Sequence, residues 1–130
     1  MNFILRFSLF VFIFSSCEKN VEDNLADHTW QYDATYTINS GSNEIIHATG
    51  TYVFNADFTG KQTESEQFNW DFNWSTSSKY VAIEYSTGGG LTYKIITNKE
   101  FSQEWSTEAF YVYDDGTSFP ATINMKLSRN

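Results

Sequence analysis

The sequence predicts an all-β protein, an antiparallel meander of about eight strands closed into a barrel, with a β-sandwich as the alternative. Three observations predict it. Apolar and polar residues alternate with a period of two along most of the chain beyond residue 28. Clusters of Gly, Asn and Asp separate these runs at short intervals. Aromatic residues and Thr are abundant while proline occurs once, at Pro120, which is strand composition. No segment carries a convincing helical period, and no repeat of fixed length is present.

Taken in order, Trp30, Tyr32, Ala34, Tyr36 and Ile38 alternate with polar partners, and Asn39 to Asn43 is turn chemistry. Ile46, Ala48, Gly50, Tyr52 and Phe54 form the second run, followed by a turn at Asn55 to Gly60. Phe68, Trp70, Phe72 and Trp74 alternate with Gln67, Asn69, Asp71 and Asn73. Val81, Ile83 and Tyr85 lead through Gly88-Gly89-Gly90 into Leu91, Tyr93 and Ile95. Asn98-Lys99 turns into Phe101, Gln103 and Trp105. Phe110 and Val112 precede Asp114-Asp115-Gly116, and Ile123, Met125 and Leu127 close the series. Each run has one apolar face, so the sheet must curl on itself or pair face to face. Eight strands are enough to close, and closure removes exposed edges.

The first residues read differently. Arg6 is the only charge before an apolar run from Phe7 to Phe14, followed by Ser15, Ser16 and Cys17. A positive start, a short apolar stretch and small residues at the cut describe a secretory signal over residues 1–16. The run is too short to span a bilayer, which takes about 20 apolar residues. Phe14-Ser15-Ser16-Cys17 also resembles the lipobox of bacterial lipoproteins. That resemblance implies a diacylglycerol thioether on Cys17, cleavage before it and acylation of the new amine. Several acyl chains, at about 0.8 kcal/mol per buried methylene, hold a protein to a membrane where one would not. Glu18, where an Asp would retain such a protein at the inner membrane, implies the outer membrane of a Gram-negative cell. The plainer reading is an ordinary cleaved signal with a leftover cysteine. Cys17 is the only cysteine, so the domain folds without a disulfide.

Glu18 to Asp27 is polar and acidic, and residues 17–27 read as a tether between lipid and domain. Residues 28–130 are then the β domain, and a mature chain of residues 17–130 has the length of one domain. The full chain has 8 Lys and Arg against 16 Asp and Glu; without Arg6 the mature balance is about −9. Such acidity, with the basic residues scattered singly, argues against a nucleic-acid partner. It also predicts repulsion from an anionic leaflet, leaving the Cys17 lipid as the sole membrane attachment of a monomer.

Three segments carry a further resemblance: Leu25 through Trp30, the hairpin Tyr52-Val53-Phe54-Asn55-Ala56-Asp57-Phe58-Thr59-Gly60, and Ile123-Asn124-Met125-Lys126-Leu127. They resemble the small lipocalin-like domains of bacterial envelope lipoproteins. The chain departs from that pattern at Asp27-His28-Thr29, where the family often has Gly, and at Phe58, where it has the turn Gly. The resemblance implies a lipocalin-like barrel and no catalytic residue.

Other constellations are weaker. Asn55-x-Asp57-x-Thr59-Gly60 with Glu66 at the twelfth position approaches a calcium loop, but strand-like flanks make it a hairpin turn. Glu64 and Glu66, about 7 Å apart on one strand face, have the residue types of a glycosidase pair, though an acidic strand end explains them equally. His28 and His47 lack the spacing of metal ligands, so no metal or cofactor is expected. Trp30, Trp70, Trp74 and Trp105 are cavity lining or core. With so many rings at inward positions the interior is expected to be largely filled; if it is hollow, Trp70 and Trp74 are the expected lining. The function expected is a non-enzymatic binding module for a small apolar or glycan ligand at the barrel mouth. The alternative is an interaction protein whose filled barrel contacts another envelope component.

Overall fold

The alternating runs form eight antiparallel strands joined in chain order and closed into a barrel by pairing of the last with the first. They are β1 (His28–Ile38), β2 (Glu44–Phe54), β3 (Thr59–Glu64), β4 (Phe68–Thr76), β5 (Tyr80–Tyr85), β6 (Gly90–Asn98), β7 (Ser102–Val112) and β8 (Ser118–Ser128). The structure is a computed structural model and describes residues 20–65 and 67–130. Cys17, the segment 1–16 and Glu66 lie outside the described residues. Closure runs over the register Gln31↔Ser128 to Ile38↔Ala121, which excludes the two-sheet sandwich.

Eight strands were expected, but not these eight. The run at Phe101 to Trp105 and the one at Phe110 to Val112 are the two ends of a single strand, β7, bridged by Ser106, Thr107 and Glu108. Strand β3, Thr-Gly-Lys-Gln-Thr-Glu, was not expected at all. Its inward positions are Gly60, Gln62 and Glu64, so it has no apolar face to announce it.

The tether reading of residues 17–27 also needs correction. Val21–Leu25 is a short helix, α1, with Asn20 at its N-cap accepting a hydrogen bond from the Asp23 amide at 2.8 Å. Val21 and Leu25, one turn apart, are buried against the barrel, and Leu25 is fully enclosed. Asn24 donates to Asn98 at 2.8 Å; Gln103 donates to the same Asn98 oxygen at 2.6 Å, and Trp105 donates to Gln103 at 3.2 Å. A helix of two apolar residues is too short to show a period, yet it plugs one end of the barrel.

That plug defines a closed end and a mouth. The closed end carries α1 and the loops after β2, β4 and β6; the mouth carries the loops after β1, β3, β5 and β7. Toward the closed end the inward side chains Trp30, Tyr52, Phe54, Phe72, Trp74, Val81, Tyr93, Trp105, Met125 and Leu127 are all buried. Edge-to-face and tilted ring pairs fill it, such as Phe54–Trp74 at 5.3 Å and Phe54–Phe72 at 5.6 Å. Toward the mouth, small residues enter the inward positions of β1, β2, β7 and β8, with Ala34, Ala48, Gly50, Ala109 and Ala121 set among Ile38, Ile46 and Ile123. There Tyr36, Glu64, Trp70, Tyr85, Leu91 and Tyr111 are only half-buried. The expectation of a filled interior therefore holds for the closed half; the upper half is a cup.

Candidate functional site: a tyrosine-lined cup

The cup is built across β1 to β5 by one missing side chain. Tyr32, Gly50 and Glu64 are direct cross-strand neighbours on β1, β2 and β3. A Cβ on Gly50 would fall 2.7 Å from the Tyr32 hydroxyl and on the Thr63 carbonyl oxygen. Only glycine lets the Tyr32 ring lie flat over β2 and reach the next strand. There its hydroxyl donates to Glu64 Oε1 at 2.7 Å and accepts from Gln62 Nε2 at 3.0 Å. Tyr85, from β5, donates to Gln62 Oε1 at 2.5 Å. The donors thus run one way, from Tyr85 through Gln62 and Tyr32 to the Glu64 carboxylate, an arrangement in which each bond polarises the next.

Glu64 is the carboxylate of the cup; Glu44, the other carboxylate on the inward register among the described residues, sits at the exposed start of β2 and accepts from Tyr113, and no strand Lys or Arg faces inward. Beneath it the Tyr52 hydroxyl is fully buried near those of Tyr85 and Tyr93 without a well-formed hydrogen bond to either. A buried hydroxyl left so calls for a water or ligand atom. Burial raises the hydroxyl pKa of Tyr32, Tyr52, Tyr85 and Tyr93, and pushes Tyr36 up to about 12, with the Glu64 charge adding to the effect on Tyr36.

These shifts fix a sign for alkaline stability. Unfolded tyrosines lose their protons at about pH 10, whereas the cup tyrosines hold theirs to higher pH. Their contribution is complete below about pH 10 and is lost as pH rises through the folded values, because only the unfolded state then releases protons. Unfolding free energy should fall steadily above about pH 10, and most tyrosinate absorbance should appear in step with loss of near-ultraviolet circular dichroism. Full titration while the fold persists would contradict the burial described.

The residues expected to line a cavity separate. Trp70 is half-buried on the inward register opposite Gln62, and its ring stacks on Phe68 at 5.8 Å and 7°. Trp74 is four residues, about 13 Å, further down the strand. It is buried, donates to the carbonyls of Asn55 and Thr59, and packs on Phe58 at 5.1 Å. Trp74 belongs to the closed end and lines no cup; its shared face with Trp70 hid the difference in depth. Trp30 and Trp105 are core.

The calcium-like segment is a hairpin turn. Asp57 Oδ1 accepts from the Thr59 amide at 3.0 Å and its hydroxyl at 2.6 Å, bonds that hold the carboxyl below its ordinary pKa. Tyr113–Thr117 repeats it, with Asp115 taking the same two donors from Thr117. The left-handed position is Gly116 in one turn and Phe58, at φ 67°, in the other. His28 sits at the closed end, and His47 faces outward beside Thr35 at 3.3 Å. The described residues bring no set of metal-ligating side chains together. A cleft of about 660 Å³ bordered by Gln31, Asp33, Thr51, Gln103, Glu104 and Lys126 runs along the wall formed by β1, β2, β7 and β8. Gln62, Tyr32, Tyr85 and Glu64 were not singled out as a site from the sequence; a polar strand face within an aromatic barrel was the available signal. Comparison with protein-family models and with curated proteins finds no match.

Proposed function

We propose that this chain is a lipid-anchored binding module of the bacterial cell envelope, held through Cys17 at the outer membrane, with the cup taking a small glycan. The hydrogen-bond chain Tyr85–Gln62–Tyr32–Glu64 carries the reading. An apolar ligand would strip water from these groups without replacing its hydrogen bonds. A sugar presents hydroxyls to Glu64 and Gln62 and a C–H face to the Trp70–Phe68 stack. The reading is non-enzymatic, since Glu44 lies six residues along β2 from Gly50, the cross-strand neighbour of Glu64, and about 20 Å of strand exceeds the carboxylate separation that glycoside hydrolysis employs. Support for the anchor is the resemblance of Phe14-Ser15-Ser16-Cys17 to a lipobox.

Mass spectrometry of protein purified natively from its host should find a co-purifying saccharide. Binding of that saccharide should weaken about tenfold in Glu64→Gln and in Trp70→Ala, the loss of one charge-assisted hydrogen bond or one stacking face. Undiminished binding by both variants would exclude the cup. For the anchor, Cys17→Ser should release the protein from salt-washed membranes, since salt screens ionic contacts but leaves acyl chains in place. Equal pelleting of a signal-cleaved mutant would refute lipidation at Cys17.

A second reading, an interaction protein, is favoured by one observation. Phe110 and Val112, 71% and 64% exposed, stand on the outer wall at the mouth, with Pro120 directly opposite Phe110. A stoichiometric protein partner lost in Phe110→Asp, with no saccharide, would select it.

A further inference from the structure

We propose that the closed end of the barrel rests on the lipid bilayer, so that the cup opens away from the membrane; this rests on the Cys17 anchor proposed above. The chain enters the described fold at Asn20, whose neighbouring helix α1 lies at the closed end. Asn20 is three residues beyond Cys17, a reach of about 10 Å at full extension. A lipid on Cys17 therefore leaves the closed end close to the headgroups, and only a barrel lying down or standing on this end satisfies the reach.

Exposed apolar side chains alone do not choose. Phe58, Tyr80, Ile96 and Phe101 ring the closed end, while Ile45, Phe68, Phe110 and Val112 stand near the mouth. Charge does choose. All six described basic residues, Lys61, Lys79, Lys94, Lys99, Lys126 and Arg129, fall in the closed half. The mouth half has none to offset Glu44, Glu64, Glu84, Glu108, Asp114 and Asp115, whereas in the closed half the six cations stand among eight Asp and Glu. Among the described residues the mouth half thus carries about −6 and the closed half about −2, so the repulsion expected from an anionic leaflet is weakest at the closed end. Strand β6 pushes Ile96 outward with a bulge between Ile95 and Thr97. Phe58 holds a left-handed φ that its twin turn gives to Gly116, a conformation that costs a residue with a side chain more than it costs glycine. Its ring touches Trp74, yet 41% of the residue remains exposed for a bilayer interface to cover.

The test places the full chain, with lipid on Cys17 verified by mass, in nanodiscs of phosphatidylethanolamine and phosphatidylglycerol carrying a headgroup nitroxide lipid. Amide signals at residues 57–58, 79–80, 96 and 99–101 should lose most of their intensity, and those at 41–43, 87–89 and 114–116 should keep theirs. Tyr80→Asp with Ile96→Asp, both on exposed positions, should reduce the closed-end loss severalfold. Equal loss at both ends, greater loss at the mouth, or no loss in the domain would overturn the proposal. If the mass shows no lipid, the anchor reading has failed and the face is tested alone. The unlipidated chain on the same nanodiscs must then show the closed-end pattern in a salt-sensitive, weaker form, and its absence overturns the face as well.

Discussion

Gly50→Val is expected to destabilise the barrel by about 3 kcal/mol, the upper range for forcing atoms into a packed interior. The added Cβ meets the Thr63 carbonyl oxygen, which is held in the β2–β3 ladder and cannot step aside, as well as the Tyr32 ring. At roughly 4 °C per kcal/mol for a domain of this size, the melting temperature should fall by roughly 12 °C. The substitution should also pull the Tyr32 hydroxyl away from Glu64, so tyrosine titration should begin at lower pH than in the wild type. Gly50→Ala should already show most of the loss. A Gly50→Ala protein that melts like the wild type would mean that Tyr32 does not cross Gly50, and the cup would need to be redrawn.

Leu25→Ala should cost about 2–5 kcal/mol, the range for truncating a fully enclosed leucine, and urea unfolding would read it as a lower midpoint with an unchanged slope. Deleting the chain through Asp27 should cost more, because it also strips Asn98 of its Asn24 donor and uncovers the Asn98–Gln103–Trp105 hydrogen bonds. Were residues 17–27 only a tether, both changes would leave the melting temperature untouched.

What could be read in advance follows from what each residue repeats. Alternation along Trp30 to Ile38 or Phe68 to Trp74 needs no tertiary information, because a pleat imposes it residue by residue. Strand β3 was invisible for the opposite reason. Its inward residues are a glycine that admits the Phe72 ring, and Gln62 and Glu64, which line the site. The missed strand supplies the polar part of the site, Gln62 and Glu64, and a polar lining erases the apolar signal that would mark the strand. Trp70 and Trp74 share a face, but their separation in depth depends on where the barrel is plugged, and α1 supplies that from outside the alternating region. The division of charge was hidden likewise. Basic residues scattered singly along the chain come to one end only because alternate loops and strand termini meet there.

Pairing of β1 with β8 joins Gln31 to Ser128, across nearly the whole described chain. The ring of hydrogen bonds is therefore complete only when the last strand arrives, and an intermediate lacking β8 carries two raw edges, on β1 and β7. Contacts of such long sequence separation cost the most loop entropy before they return any, so assembly is slow compared with a helical domain of equal length. A chain emerging N-terminus first has no finished shell to protect its rings until Ser128 is free, and the period of greatest stickiness comes late in its synthesis or passage. Residues 118–128 thus act as the latch of the molecule, and damage to them should show first as aggregation rather than as lost binding.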